Sequence, residues 1–379
     1  MEGMESNDER REYGWRSWMK TCIIIGTRPE VIKMSPVVRA CEGKGADYFV
    51  IHTGQHYSYN MDRVFFEQLG LPDAKYNLDV RSGRHGEQTG RMLTGIEKIL
   101  IEEKPDVVLV EGDTNTVLAG ALAASKLGVM VGHLEAGLRS YDKRMPEEIN
   151  RVVADHISDY LFAPTVQSRE ILLGEGISDG KIFVTGNTVV DAVYQNLKIV
   201  NDRDGDRGTG HDLESNGYFL ATAHRQENVD DAARFAGILR GLELVSKEFS
   251  LPVIYPIHPR ARKMMDEFSL DAEGVTFIEP LDYLSFLKLE SAARLVLTDS
   301  GGVQEESCIL KVPCVTLRDN TERPETAEVG ANVLVGVNHE KILEGVRMMI
   351  DRTREWENPF GNGNAGKRIV KIITNSGRS

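Results

Sequence analysis

The chain has 379 residues, of which 41% are hydrophobic and 27% are charged. This composition is typical of a folded globular protein, and the length allows two domains of about 150–190 residues. The formal net charge is −13, which argues against general nucleic-acid binding because phosphate contacts need lysine and arginine. An anionic ligand would therefore require a local concentration of basic residues.

Residues 1–18 carry charged side chains throughout and lack an apolar signal core. We expect a poorly ordered extension there, followed by a domain that begins at residue 19. No apolar run approaches the roughly 20 residues of a membrane helix, so we expect a cytoplasmic protein without membrane contacts. The four cysteines form no CxxC pair, which favours buried thiols over a disulfide or zinc framework.

Short apolar runs alternate with helical stretches in the first half of the chain. The predicted strands are Thr21–Ile25, Tyr48–His52, Asp106–Val110, Val129–His133, Tyr160–Phe162 and Ile182–Thr185. The predicted helices begin near Pro29 and cover about Tyr59–Leu69, Gly86–Glu103 and Thr116–Leu127. This alternation indicates βαβ units and a parallel sheet.

A second series of the same kind follows a polar, glycine-rich stretch at residues 201–217, which indicates a surface excursion near a domain boundary. Its predicted strands are Tyr218–Ala223, Pro252–Pro256, Val275–Phe277, Leu295–Thr298 and Pro313–Thr316. We predict two doubly wound α/β domains around a central cleft. They are an N-terminal domain at 19–190 and a nucleotide-binding domain at 191–354, and residues 355–379 carry a helix that packs back on the first domain. Ligands of such sheets bind at the carboxyl ends of the strands.

Two segments have the pattern of strand, glycine and helix. Arg28 and Lys33 follow the first strand and the Gly26 turn, where a helix N-terminus attracts anions. An ordinary strand-to-helix turn explains that segment equally well. In the second domain, helix-opening amides and a carboxylate one turn later suit a diphosphate and a ribose diol. These residues are Ser300, Gly301, Gly302 and Glu306. A helix capped by the serine is the alternative, although two glycines cost helix stability.

Acidic residues follow the predicted strands of the first domain. Asp113 and Glu135 come directly after two of them, and Glu147 and Glu148 follow in the segment RMPEEINR. Singly, each could equally be a helix cap or a solvated charge, but their joint placement favours catalysis.

Basic residues follow two strands of the second domain. His224 and Arg225 come after one of them, and His258 and Arg260 come after the next. With Arg28, Lys33 and Arg323 they predict a basic rim that could bind one diphosphate despite the acidic total. The chain has no GxGxxG after a strand, no GxxxxGK[ST] and no clustered metal ligands, so we expect no NAD, metal or other cofactor.

These motifs resemble one family, the non-hydrolysing UDP-N-acetylglucosamine 2-epimerases. The matching segments are GTRPEVIKMSP, EGDTNT, GHLEAGLRS, PEEINR, GNTVVDAV, the His-Arg pair of ATAHRQEN, LTDSGGVQEE, RDNTERPET and NPFGNG. They occur in family order from about Gly26 to Gly363 and cover nearly the whole chain.

The resemblance implies a GT-B fold, a homodimer, and UDP-N-acetylglucosamine, UDP-N-acetylmannosamine and UDP as ligands. It implies a catalytic set of Asp113, Glu135, Glu147 and His224. It implies a substrate-binding set of Arg28, Lys33, Phe286, Ser300, Gly301, Gly302, Glu306 and Arg323, with the phenylalanine near the uracil. The reaction would supply activated sugar for cell-surface polysaccharide.

The segment Gln55–Ser58 departs from the family pattern. Many bacterial members bind a second substrate molecule as an activator, and the resemblance makes Gln55, His56 and His258 candidate allosteric residues. Ser58 stands where those members carry a further glutamine. We therefore expect little activation by substrate.

Inversion at C2 of the sugar breaks a C–H bond that has no neighbouring carbonyl, and an ordinary carboxylate cannot remove that proton unaided. Without NAD, the remaining route expels UDP to give 2-acetamidoglucal and then adds UDP back. The alternatives are a GT-B glycosyltransferase, a hydrolysing epimerase, an epimerase of diacetamido-uronic acids and a catalytically silent sensor. Formation of a free epimer without an acceptor would separate the first of these from an epimerase.

Overall fold

A computed structural model describes residues 19–55, 59–204 and 215–376. The chain divides into two compact units. Unit 1 contains the chain up to Thr185 together with the segment from Ala365, and unit 2 is Gly186–Asn364. The boundaries between the units thus lie between Thr185 and Gly186 and between Asn364 and Ala365. The predicted extension at residues 1–18 lies outside the described residues.

Unit 1 is built on a seven-stranded parallel sheet with the order β3-β2-β1-β4-β5-β6-β7. Its strands are β1 Thr21–Ile25, β2 Tyr48–His52, β3 Tyr76–Asn77, β4 Val107–Glu111, β5 Met130–Leu134, β6 Tyr160–Ala163 and β7 Ile182–Val184. The central strands are apolar runs buried along their length, as a sheet covered by helices on both faces requires.

Helices connect these parallel strands as βαβ crossovers. They are α1 Arg28–Lys44, α2 Tyr59–Gln68, α3 His85–Glu103, α4 Asn115–Lys126, α5 Pro146–Ile157 and α6 Val166–Gly174. A short 3₁₀ turn, Asp179–Lys181, precedes β7. Apolar side chains of α3 and α4 pack with those of β1 and β4 in one buried cluster.

Unit 2 repeats the plan with a six-stranded parallel sheet of order β10-β9-β8-β11-β12-β13. Its strands are β8 Phe219–Thr222, β9 Val253–Pro256, β10 Val275–Ile278, β11 Leu295–Thr298, β12 Cys314–Thr316 and β13 Asn332–Leu334. Its helices are α7 Thr188–Asp204, α8 Gln226–Val229, α9 Ala232–Phe249, α10 Pro259–Glu267, α11 Tyr283–Ala292, α12 Gly301–Leu310, α13 Pro324–Glu328 and α14 His339–Met349. The largest cluster of unit 2 packs α9 and α14 onto the sheet.

The last helix, α15 Ala365–Ser376, packs against α1 in unit 1. A Cβ at Gly366 would lie 2.9 Å from the carbonyl oxygen of Pro36, so only glycine allows this approach. Arg368 Nη1 also donates a hydrogen bond to the Thr185 carbonyl at 2.9 Å. The end of the chain is thereby attached to the unit in which it began.

Strand order reverses at one place in each sheet. In unit 1, β1 pairs with both β2 and β4, and in unit 2, β8 pairs with both β9 and β11. A parallel sheet opens a crevice at the carboxyl ends of the strands at such a switch point. A binding site is therefore expected at the segments that follow β1 and β4 in unit 1 and β8 and β11 in unit 2. Within the described ranges, no helix combines the length and apolarity needed to cross a bilayer.

Candidate active site

The turn after β1 is fixed by close packing. A Cβ at Gly26 would lie 2.1 Å from Thr53 Oγ1 and 2.2 Å from Thr116 Oγ1, so no other residue fits there. Glu30 then closes the turn, because its Oε2 accepts hydrogen bonds from the amides of Gly26 at 2.5 Å and Thr27 at 2.9 Å. This pairing fixes the start of α1 and hence the positions of the basic residues that follow.

Glu30 is itself an unusual group, and the sequence analysis assigned it no role. Its side chain is buried, and its Oε1 accepts a hydrogen bond from the Thr114 hydroxyl at the start of α4. Burial raises its pKa to about 7, against the opposing effect of these hydrogen bonds. The T-x-x-E spacing of a capping box was the available signal for this residue.

Lys33 brings two carboxyl groups together at the switch point of unit 1. Its Nζ lies 2.6 Å from Glu135 Oε1 and 3.3 Å from Glu111 Oε1. Glu111 ends β4 and is buried, and burial raises its pKa well above the usual range. Glu135 follows β5 with a positive φ of 61°, a backbone conformation that ordinary residues seldom adopt and that is frequent at functional sites. The sequence analysis selected Lys33 and Glu135 and missed Glu111.

Asp113 and the two glutamates of α5 differ in their surroundings. Asp113 is partly exposed, and Arg151 of α5 donates a hydrogen bond to its Oδ2. Glu148 is buried and accepts hydrogen bonds from Ser140 and from the amide of Tyr141, which together with Arg151 lower its pKa against the effect of burial. Glu147 projects from the first turn of α5 and is exposed. Of the adjacent pair, Glu148 is therefore structural and Glu147 is accessible.

A buried ionic network lies behind these segments. His133 on β5 contacts Asp155 Oδ1 through Nδ1 at 2.7 Å and the Gly112 carbonyl through Nε2 at 2.8 Å. Arg139 Nη1 lies 2.7 Å from the second oxygen of Asp155. Burial would lower the pKa of His133, but Asp155 raises it overall, and the same partners hold the pKa of Asp155 below its usual value despite burial. The His133 imidazole, with both ring nitrogens facing acceptor oxygens, anchors the turn that carries Asp113.

Gln55, a candidate allosteric residue, is engaged within unit 1. Its side-chain Oε1 accepts hydrogen bonds from the Thr116 amide at 3.1 Å and hydroxyl at 2.9 Å. Gln88 Nε2 donates to the Gln55 carbonyl at 2.9 Å. His56 and Ser58, the other residues of this segment that the sequence analysis singled out, lie outside the described residues.

Unit 2 has a cavity of about 240 Å³ at the carboxyl ends of its strands. It is lined by Thr222, Ala223, His224, Pro256, His258, Pro280, Phe286, Ser300 and Val303. Four of the predicted residues thus share one cavity: His224, His258, Phe286 and Ser300. The His224 and His258 rings lie 6.2 Å apart, and burial with His224 and Arg260 nearby lowers the pKa of His258. An aromatic ring, two imidazoles and a helix start suit an anionic, ring-bearing ligand.

The start of α12 borders this cavity through Ser300. The nearest atoms that a Cβ on Gly301 or Gly302 would meet lie 3.5 Å and 3.9 Å away, and neither glycine has a positive φ. The protein's own packing therefore does not demand glycine here, in contrast to Gly26. Small residues at this point leave the helix-opening amides accessible to an anion.

The remaining predicted residues of unit 2 contact other side chains of the same unit. Glu306 lies one turn into α12 beside Tyr283, whose pKa is raised by burial and by Glu306. Arg323 Nε contacts Glu305 at 2.6 Å. Arg260, expected in the basic rim, instead forms an ion pair with Asp230 at the surface.

Arg28 in unit 1 is exposed at the start of α1. Over the residues that the structure describes, no group of three or more His, Cys, Asp or Glu side chains could hold a metal ion.

Comparisons with known proteins show the family to which the chain belongs. A sequence profile of the UDP-N-acetylglucosamine 2-epimerase family matches residues 39–374. The UDP-N-acetylglucosamine 2-epimerase of Methanocaldococcus jannaschii is 58% identical over 362 residues, which span 94% of this chain and 99% of that protein. The UDP-2,3-diacetamido-2,3-dideoxy-D-glucuronate 2-epimerase of Pseudomonas aeruginosa is 44% identical over 94% of this chain and 99% of its own length.

Solved structures relate the chain to the same family. The Methanocaldococcus jannaschii enzyme in complex with UDP-GlcNAc and UDP matches with a TM-score of 0.83 and 58% identity, over 94% of this chain and 99% of that one. The glycosyltransferase SsfS6 of Streptomyces sp. SF2575 matches with a TM-score of 0.52 at 17% identity, over 94% of this chain and 99% of its own, which shows the shared GT-B fold alone. The profile match and the extensive identity show that this protein belongs to the UDP-N-acetylglucosamine 2-epimerase family.

Proposed function

We propose that this enzyme interconverts UDP-N-acetylglucosamine and UDP-N-acetylmannosamine by expelling UDP and adding it back. The observation that carries the proposal is the open start of α12 beside His224, at the cavity of unit 2. It offers amide donors where an anion is favoured. The similarity to the Methanocaldococcus jannaschii enzyme supports the choice of substrate.

The nucleotide is held by unit 2. The amides of Ser300, Gly301 and Gly302 bind the diphosphate, and His224 adds a hydrogen bond or a charge that stabilises it as it leaves. Phe286 lies in the same cavity, where its ring can contact the uracil. Glu306 accepts hydrogen bonds from the ribose diol, and Arg323 adds a positive charge; the family resemblance also assigns Arg28 and Lys33 to substrate binding.

The sugar chemistry belongs to the carboxylates of unit 1. In the first half-reaction the bond between C1 and the UDP oxygen breaks, the electrons leave with UDP, and a carboxylate takes the C2 proton. The product is a glycal with a double bond between C1 and C2. In the second half-reaction UDP adds back to C1, and a carboxylic acid delivers a proton to the opposite face of C2.

Specific residues are assigned to these steps. Asp113 and Glu147 are the acid and base on the two faces of C2, in an order that is left open, since both are accessible. Glu135 stabilises the positive charge that develops at C1. The homodimeric state, the cytoplasmic location and the supply of sugar for cell-surface polysaccharide stay predictions from the family resemblance.

A second candidate substrate is a UDP-linked diacetamido-uronic acid, because the Pseudomonas aeruginosa relative carries that name. Both sugars should be offered to the purified enzyme, with NMR to identify the products. We expect UDP-N-acetylmannosamine from UDP-N-acetylglucosamine at a rate that chelator and added NAD leave unchanged. Turnover of the uronic acid alone would overturn the choice of substrate, and a rate lost to chelator and restored by a divalent ion would overturn the metal-free mechanism.

A further inference from the structure

Glu111 is a buried carboxyl group at the centre of unit 1 that the reaction scheme above does not use. It ends β4, between the strands that lead to Gly26 and to Glu135, and only 2% of its side chain is exposed. Its Oε1 lies 3.3 Å from Lys33 Nζ, and the same Nζ lies 2.6 Å from Glu135 Oε1, so the two carboxyl groups share one ammonium group. Ionisation of a buried carboxyl group costs free energy, so the charges around Glu111 decide whether it is ionised.

The charges around Glu111 do not balance if every carboxyl group is ionised. The groups that face it are Lys33 and Glu30 from α1 and Glu135 from the segment after β5. Lys33 is the one cation among these three and already lies 2.6 Å from Glu135. A second buried carboxylate beside the same ammonium group would be desolvated and repelled by Glu135.

A hydrogen bond between the two carboxyl groups would impose the same condition. Two ionised carboxylates are both acceptors only, so a hydrogen bond between Glu111 and Glu135 requires a proton on one of them. Glu111 is the more buried partner, with 2% of its side chain exposed against 7% for Glu135. Burial raises the pKa of Glu111 first of all, Glu135 and Glu30 raise it further, and Lys33 opposes them. The proton therefore resides on Glu111.

We propose that Glu111 is a positioning residue that stays protonated in the working enzyme and donates a hydrogen bond to Glu135. Lys33 and Glu111 then hold the Glu135 carboxylate from two sides, ionised and in one orientation. This proposal rests on the role of Glu135 proposed above, stabilisation of charge at C1. It predicts that loss of the Glu111 proton, as pH rises, displaces Glu135 and slows the reaction.

The protonation state can be measured without any activity. NMR of ligand-free protein with ¹³C-labelled glutamate side chains distinguishes a carboxylic acid from a carboxylate by the carbon shift. We expect a resonance that keeps the protonated shift at pH 7 and disappears in Glu111→Gln, but persists in Glu30→Gln. A Glu111 resonance with the carboxylate shift at pH 7 would overturn the proposal, whatever the enzyme's substrate is.

Kinetics separate positioning from mere structural support. Glu111→Ala removes the donor and should lower kcat about tenfold or more with KM changed by less than about threefold. Glu111→Gln keeps an N–H donor of similar shape, so kcat should return to within about threefold of wild type. Because glutamine does not titrate, the fall in rate that Glu111 ionisation causes in wild type at high pH should be absent from this variant.

Glu170→Gln, an exposed substitution on α6, is the matched control and should keep the wild-type pH profile. A Glu111→Gln enzyme as slow as Glu111→Ala, or one with the wild-type alkaline limb, would overturn the proposal. Absence of epimerisation in wild type itself would instead contradict the proposed function, and the NMR titration would still decide where the proton is.

Discussion

The backbone amide of His224 donates a hydrogen bond of 3.0 Å to Oδ2 of Asp299, which links the end of β8 to the end of β11. Asp299 is fully buried, and the same oxygen accepts hydrogen bonds from the Arg225 amide and from Asn228 Nδ2. His224 Nδ1 lies 3.3 Å from the other oxygen. One carboxylate thus fixes His224 beside the start of α12, at the switch point of unit 2.

Replacement of Asp299 by asparagine should weaken UDP binding. The amide places an N–H₂ group where two acceptor oxygens now receive several donors, so His224 is released from its position. Hydrogen bonds to charged groups are worth about 1.5–3 kcal/mol, so we expect the Kd for UDP in titration calorimetry to rise about tenfold or more. Asp231→Asn, at the exposed N-cap of α9, is the control, because asparagine caps a helix as well as aspartate. An unchanged Kd in Asp299→Asn would contradict this role.

Substitutions in unit 2 should weaken nucleotide binding, whereas substitutions of the unit 1 carboxylates should slow proton transfer. We expect Glu306→Ala and Arg323→Ala to raise the Kd for UDP. Asp113→Asn and Glu147→Gln should leave the Kd nearly unchanged and lower kcat by about 10²-fold or more, the usual loss for a positioned acid or base. Calorimetry with UDP beside steady-state kinetics would decide. If Asp113→Asn abolished UDP affinity while turnover at saturation survived, the assignment of roles would be wrong.

Asp155→Asn should destabilise unit 1. It removes the counter-charge of buried His133 and Arg139, and removal of one partner of a buried pair costs about 3–5 kcal/mol of unfolding free energy. Asp179→Asn breaks an exposed ion pair with Arg169 and should cost less than about 1 kcal/mol. Urea unfolding of both variants gives the comparison. Equal losses would show that the buried network contributes no more than a surface pair.

The stabilising effect of this network should also depend on pH in both directions. Asp155 has a lowered pKa, so its contribution is present above its unfolded value and is lost as pH falls through the folded value. His133 has a raised pKa, so its contribution is present below its unfolded value and is lost as pH rises through the folded value. The difference in unfolding free energy between wild type and Asp155→Asn should be largest between these limits.

Activation by substrate should be weak. Serine at position 58 is shorter than the glutamine of the family pattern and loses one hydrogen-bonding group, and each such contact is worth about 0.5–1.5 kcal/mol. The Gln55 side chain is already bonded to Thr116. Started from UDP-N-acetylmannosamine alone, the reaction should follow a hyperbolic rate curve with no lag. A strict need for added UDP-N-acetylglucosamine would show that Ser58 does not disable the second site.

The sheets could be predicted because their strands are continuous apolar runs. Thr21–Ile25, Tyr48–His52 and Leu295–Thr298 have the predicted bounds, and the other predicted strands differ by one residue at an end or at each end. Strands β3 and β13, of two and three residues, were missed because such short segments have no period of their own. Buried charges could not be predicted in the same way. The chain from Gly26 to Asp113 has many charged side chains, and hydropathy does not show which of them become buried in the fold.

The candidate site could be predicted only in part, because the sequence pattern does not show which charged side chains are buried or paired. Asp113 and Glu135 could be selected as candidates because a charge soon after an apolar strand is conspicuous. Glu111 also follows the predicted strand Asp106–Val110 but was passed over for Asp113, because its contact with Lys33 joins residues that are far apart in sequence. Arg260 was expected in the basic rim, but Asp230 at the end of α8 pairs with it. Such pairings depend on the positions of loops, which local patterns do not determine.

Incorporation of deuterium at C2 is the most direct test of elimination and re-addition. Proton NMR would follow UDP-N-acetylglucosamine with enzyme in deuterated water. If a carboxylate removes the C2 proton and a second group delivers one to the opposite face, the UDP-N-acetylmannosamine formed should carry deuterium at C2. Epimerisation with full retention of the original C2 proton would contradict the mechanism.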